Sequence, residues 1–152
     1  MKSPAILLGT CILAACGAGS GARSGTPART PAADSAAEFL LTAAATDFHT
    51  HQPPDPVGFR EVRMGRVRTP GGEEQYLLCG QFLPAQGGDT AEWTPFVTIK
   101  TSDYEQWIGA QSASFHCQAP GVTWDPAGDL SASLQRRLDS LRQGAPAKAA
   151  GR

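Results

Sequence analysis

Val57-Gly58-Phe59-Arg60-Glu61-Val62-Arg63-Met64-Gly65-Arg66-Val67-Arg68-Thr69-Pro70-Gly71-Gly72 decides the fold. Val57 to Thr69 reads as a strand, and Thr69-Pro70-Gly71-Gly72 as the turn that ends it. Val62, Met64 and Val67 depart from strict alternation by one residue, and Gly65 sits at the slip. A β-bulge at Gly65 would absorb the extra residue and turn all three inward. Arg63, Arg66 and Arg68 would then share the outer face with Glu61. Gln75 to Leu83, rich in aromatic and aliphatic residues, follows as the returning strand of a hairpin.

Working outward, Trp93 to Lys100 is a third strand. Tyr104 to Ile108 suits either a fourth strand or a short helix. Ser112 to Cys117 alternates Ala113, Phe115 and Cys117 against Ser112, Ser114 and His116, the period of a half-buried strand. On the N-terminal side, Ser35-Ala36-Ala37-Glu38 has the form of a capping box, predicting a helix from about Ala36 to Phe48. Pro53, Pro54 and Pro56 forbid its continuation. On the C-terminal side, Leu130, Leu134, Leu138 and Leu141 form one helical stripe. Asp125-Pro126 or Asp129 would open that helix, and Asp139 with Arg142 can pair on its polar side. The expected fold is α+β: four to five antiparallel strands with an N-terminal and a C-terminal helix, in one domain over 34–143.

The chain begins differently. Lys2 precedes an uncharged apolar run, Ala5 to Ala15, of 11 residues. A membrane-spanning helix needs about 20 residues, whereas a signal peptide needs no more than this. Leu13-Ala14-Ala15-Cys16 closes the run and resembles the lipobox of bacterial lipoproteins at all four positions. The resemblance implies a signal peptide over 1–15, cleavage before Cys16, a diacylglycerol thioether on Cys16 and acylation of its amine. Several acyl chains, at about 0.8 kcal/mol per buried CH2, make a permanent anchor. Gly17 follows where Asp would retain such a protein in the inner membrane. The expected location is therefore the outer membrane facing the periplasm. Residues 16–33, Gly/Ser-rich and then marked by Pro27 and Pro31, read as a flexible tether, and 144–152 as a disordered tail.

Four cysteines are present. Cys11 leaves with the signal and Cys16 carries lipid, so Cys79 and Cys117 are left as a pair in an oxidising compartment, where a disulfide is expected. Removing the signal removes Lys2 and leaves 12 basic against 14 acidic side chains, a formal balance of −2. That charge carries no footprint for nucleic acid.

The domain also resembles a group of small exported proteobacterial proteins. The pieces that carry the likeness are Asp55-Pro56, Phe59-Arg60-Glu61-Val62, Cys79-Gly80, Trp93-Thr94-Pro95-Phe96 and Cys117, which span most of residues 47–117. Phe82-Leu83-Pro84-Ala85-Gln86 departs from the Asn/Lys-rich stretch of that group. The resemblance implies the fold and the cysteine pair and adds no chemistry.

Three constellations are candidates for function. Asp47, His49 and His51 offer zinc- or copper-type ligands on an extended backbone, although their place at a helix end before prolines suits a solvated terminus equally. Arg60, Arg63, Arg66 and Arg68 could grip carboxylate or phosphate, or could pair with Glu61, Glu73 and Glu74 across the hairpin. Trp93, Tyr104, Trp107 and Trp124 concentrate aromatic area, for the core or for a binding platform. Gly-x-Ser-x-Gly is absent from the sequence, and His116 beside Cys117 makes a poor nucleophile pair. The expected function is that of a non-enzymatic, cofactor-free binding or accessory lipoprotein of the cell envelope. It would contact a membrane through Cys16 and an envelope protein through Arg63, Arg66, Arg68 or Trp93. The alternative is a small-ligand or metal-binding module built on Asp47, His49 and His51.

Overall fold

The computed structural model describes residues 30–51, 54–86 and 88–144. Cys16, with the expected signal and tether up to residue 29, lies outside the described residues, as does the tail 145–152. The elements are α1 (Pro31–Thr50), β1 (Pro56–Arg68), β2 (Glu74–Pro84), a single 3-10 turn (Gly88–Thr90), β3 (Thr94–Lys100), β4 (Tyr104–Ile108), α2 (Ala110–Cys117), β5 (Thr123–Trp124) and α3 (Ser131–Gly144). The strands form one antiparallel sheet in the order β4-β3-β2-β1-β5. The expected α+β class and both terminal helices are present.

α1 starts earlier than the capping box predicts. Thr30 is its N-cap, with Oγ1 accepting from the Ala33 N–H at 3.3 Å, and Pro31 stands at the first helical position. A capping threonine followed by proline outcompetes Ser35 because proline needs no partner for a missing N–H and has φ already set. Pro31 to Ala33, expected in the tether, therefore belong to the helix. Glu38 ion-pairs with Arg137 of α3 instead of closing a box.

Two helices cover one face of the sheet. Leu40, Leu41, Ala44 and Phe48 of α1 and Leu134 and Leu138 of α3 pack on Val62, Met64, Leu78, Phe82 and Phe96. Leu130 and Leu141, the ends of the predicted stripe, are half-buried against the same core. The other face carries Leu77, Cys79, Val97 and Ile99, with Val67, Cys117, Val122 and Trp124 packed on them. α2 lies on this second face, and a disulfide joins its Cys117 to Cys79 of β2.

α2 corrects the strand expected over Ser112 to Cys117. Alternation would have buried Phe115, which is 75% exposed. Ala113 is the helix's one buried residue. Gly109, at φ 108°, turns the chain sharply out of β4, and the short polar residues that follow have no strand to join. Period-2 patterning over six residues was coincidental with respect to burial.

The bulge also lies elsewhere. β1 pairs with β2 through Arg60↔Gln81 and Arg63↔Cys79, so Glu61 and Val62 together oppose Gly80. Two residues against one define a bulge, and Glu61 there has φ 55°. From Arg63 to Arg68 the pairing is uninterrupted. Val67 consequently faces the disulfide side, opposite to Met64. Arg66 and Arg68 share the helix side with Met64, whereas Arg60 and Arg63 point to the disulfide side. The expected arginine stripe is split between two faces.

Gly80 makes the bulge possible. A Cβ there would lie 2.7 Å from Val62 Cγ2, 2.9 Å from Phe96 Cε1 and 3.1 Å from the Val62 Cα. Gly80→Ala should destabilise the domain by about 1–3 kcal/mol, since both neighbours are buried. Chemical denaturation of the variant beside wild type checks this, and an unchanged midpoint would contradict the packing.

The segment before α3 fastens the bulge from the open edge of β1. Leu130 N–H donates to Val62 O at 2.7 Å, Val62 N–H donates to Ser131 Oγ at 3.1 Å, and Asp125 N–H donates to Met64 O at 2.9 Å. Of the two expected starts for the last helix, the later holds. Asp129 accepts from the Ser131 N–H at 2.8 Å, and Asp125 instead accepts from Ala127 N–H in a turn. Partial burial pushes the Asp129 carboxyl upward. Hydrogen bonds from the Ser131 hydroxyl, the Ser131 N–H and the N–H groups of Val62 and Glu61 outweigh burial and hold it below its ordinary 3.8. A depressed carboxyl contributes stability above its unfolded pKa and loses it as pH falls through the lower folded value. Asp129→Asn should therefore be less stable than wild type at neutral pH, with the gap closing below about pH 4. Urea midpoints measured across that range check it, and a gap that persists in acid would contradict it.

Candidate functional site

The disulfide face around the bulge collects the chemically distinctive side chains. Arg60 and Arg63 both project there because the bulge restores their common facing across an odd spacing. Each guanidinium lies over an indole: Arg60 Cζ is 4.4 Å from the Trp93 ring centroid and Arg63 Cζ is 4.9 Å from that of Trp124. Stacking of this kind fixes the guanidinium plane and leaves its N–H edge outward.

The indoles rest on glycines. A Cβ on Gly65 would meet Trp124 and Val122 at 3.1 Å, so the missing side chain is what lets the ring lie against β1. Gly65 thus serves as a floor for Trp124 rather than as a bulge. On the other side, Trp93 passes Gly58 at 3.8 Å from its ideal Cβ position. The two arms are related by sequence: Gly58-Phe59-Arg60-Glu61-Val62-Arg63-Met64-Gly65 reads as glycine, apolar, arginine, then arginine, apolar, glycine about the bulge. Phe59 and Met64, the apolar members, both point to the helix-side core.

Between the arms, Arg60 Nε and Nη2 both donate to Gln81 Oε1, at 3.1 and 2.8 Å. Gln81 Nε2 donates to Glu61 Oε2 at 3.1 Å. Glu61 is the one non-glycine residue with positive φ among the described residues. Strain at such a position, held by the surrounding hydrogen bonds, is a feature of functional sites. Across β2 from the arginines, a hollow of about 290 Å³ opens between Gly80, Gln81, Pro95, Phe96, Ala113 and the disulfide.

Of the expected binding residues, Arg63 belongs to this site and Trp93 to its other arm. Arg66 and Arg68 do not. Arg66 ion-pairs with Glu74 at 3.6 Å on the opposite face, as the cross-hairpin reading anticipated. Arg60 and Trp124, each expected within a broader constellation, join the site, and Glu61 and Gln81 are the members that the sequence does not mark as binding residues. The near-palindrome about Glu61-Val62 is a signal that could have found the paired arginines; Gln81 and Trp124 lie outside it. Trp107, 48% exposed, stands on the same face at edge strand β4, with its Nε1 donating to Glu105.

Of the Asp47, His49 and His51 set, the structure brings Asp47 and His51 together and leaves His49 apart. Asp47 Oδ1 lies 3.1 Å from His51 Nδ1 and accepts from Tyr104 OH at 3.3 Å, while Oδ2 accepts from Gln106 Nε2 at 3.0 Å. Gln106 Oε1 accepts in turn from the buried Thr98 hydroxyl at 2.7 Å. Asp47 thus ties the end of α1 to β4 and β3. Burial, then the charge and hydrogen bond of Asp47, raise the Tyr104 phenol above 10. The three residues lie in or just beyond a helix rather than an extended strand, so His49 falls about 200° around the axis from Asp47. Among the described residues, no group of three or more His, Cys, Asp or Glu is placed to hold a metal. The disulfide leaves neither Cys79 nor Cys117 as a thiol nucleophile.

Among the described residues, no helix is long and apolar enough to cross a membrane. Compared with protein-family models, with curated proteins and with solved structures, the chain matches none.

Proposed function

We propose that the chain is an exported lipoprotein, held in the outer membrane by lipid on Cys16 and facing the periplasm. Its domain works there as a non-enzymatic binding or accessory module. No cofactor and no nucleic acid takes part in this reading. The lipobox-like Leu13-Ala14-Ala15-Cys16 supports the anchor. The paired arms, Arg60 on Trp93 and Arg63 on Trp124, carry the binding half of the proposal. Arginine and tryptophan dominate the energetic centres of protein interfaces, and here both arms sit on one face of a rigid sheet.

Two measurements test the proposal. Labelled palmitate should enter the wild-type chain and not a Cys16→Ala variant. In-cell crosslinking followed by capture should recover one recurrent envelope protein, and Arg60→Glu/Arg63→Glu should lose it. Label retained by Cys16→Ala defeats the anchor. Capture indifferent to the charge reversal defeats the binding face.

A further inference from the structure

We infer that the bulge face is a receptor for an acidic protein segment, with carboxylates on Arg60 and Arg63 and one neighbouring side chain in the hollow beside Gly80. The inference rests on the binding half of the proposed function and supplies the chemistry of its partner.

Arg60 shows how the site would take a carboxylate. Its Nε and Nη2 converge on a single neutral oxygen, Gln81 Oε1. A carboxylate presents two charged oxygens to the same fork and makes the stronger, bidentate contact. Arg63 has no hydrogen-bond or ion-pair partner among the described residues; its guanidinium is placed by Trp124. Both cations are therefore oriented before binding and lose little side-chain freedom when a partner arrives. Glu61 lies between them, yet its carboxylate accepts from Gln81 Nε2. It acts as a like charge that an incoming acid must tolerate.

The hollow selects the class of partner. Its walls set Gly80, Pro95 and Ala113 beside the polar Gln81, Ser114 and Gln118, and its volume of about 290 Å³ admits a protruding side chain. A lipid surface presents phosphates in a plane and has no such protrusion. An extended acidic peptide offers carboxylates and a protruding side chain on one face, because alternate side chains point the same way.

The test uses the full chain in detergent and two fluorescent probes, the peptides Glu-Glu-Leu-Glu-Glu and Gln-Gln-Leu-Gln-Gln. Polarisation is read at about 50 mM and about 300 mM salt, which brackets strong and weak screening. The acidic probe should bind at least about tenfold more tightly than the neutral one, and less so at high salt. Arg60→Gln and Arg63→Gln should each weaken it about tenfold, the usual loss for a charged hydrogen-bonded contact. Glu61→Gln should tighten it about threefold by removing the like charge, so the inference also carries a gain that misfolding cannot imitate. Equal binding of the two probes overturns the inference, as does acidic binding that survives both arginine substitutions. Binding to phosphatidylglycerol vesicles through these arginines, without peptide binding, assigns the face to the membrane and overturns it too. If the probe fails while palmitate still enters at Cys16, the receptor falls and the anchored module stands.

Discussion

Phe48→Ala is expected to lower the folding free energy by about 3–5 kcal/mol, the range for deleting a fully buried ring. Phe48 closes the last buried turn of α1, and its ring centroid lies 5.3 Å from Phe59, 5.1 Å from Phe82 and 5.2 Å from Phe96. These partners come from β1, β2 and β3, so one side chain fastens the helix to three strands. Its loss forfeits both the transfer of the ring and its tilted contacts, each worth about 0.5–1.5 kcal/mol beyond area. The neighbours are themselves rings in a sheet, which cannot collapse into the space. Urea unfolding followed by far-UV circular dichroism measures the change. Phe48→Leu should recover much of the loss by refilling volume. A deficit under about 1 kcal/mol for the alanine variant would mean that the four rings are not the centre of the core.

Removing the cystine should have a comparable effect through a different state of the chain. Cys79 and Cys117 are separated by 38 residues. In the loop-entropy model the closed loop restricts the unfolded ensemble by about 4 kcal/mol. For a domain of this size, Cys79→Ala/Cys117→Ala should lower the thermal midpoint by roughly 15 °C. The native consequence is local. α2 buries only Ala113 and has no side-chain cap at its start, so little besides Cys117 holds it to the sheet. The reduced wild-type protein and the double variant should agree in midpoint, and α2 amides should exchange with solvent ahead of those of β2. Equal exchange in both elements would show that α2 is held by packing rather than by the bond.

The sequence carried the larger architecture because that architecture follows from strong, local signals. Thr69-Pro70-Gly71-Gly72 gave the hairpin turn, and the leucines at 130, 134, 138 and 141 gave α3. The misreadings occurred where tertiary context decides. Thr30-Pro31 and Ser35-Glu38 are both legitimate helix starts, and propensity alone does not rank them. Ser112 to Cys117 has six residues and no strand neighbour, which its alternation could not disclose. The bulge was expected from the break in pattern, but its position depends on Gly80 of the opposite strand, which no inspection of β1 reveals. That misplacement spread to the site. A slip at Gly65 puts Arg63, Arg66 and Arg68 on one face, and Trp124 reads as generic aromatic area because β5 is only two residues long.

Glu61 is topologically a spare residue. A β1 lacking it would pair Val62 with Gly80 in simple alternation, and Arg60 and Arg63 would still share a face. Elsewhere in this strand, losing one residue would exchange inside for outside along everything downstream. Single-residue length variation is therefore admissible here and nowhere else between Arg60 and Arg68. Descendants of this chain have one position at which the spacing and charge between the two arms can be retuned while the frame of the strand is kept.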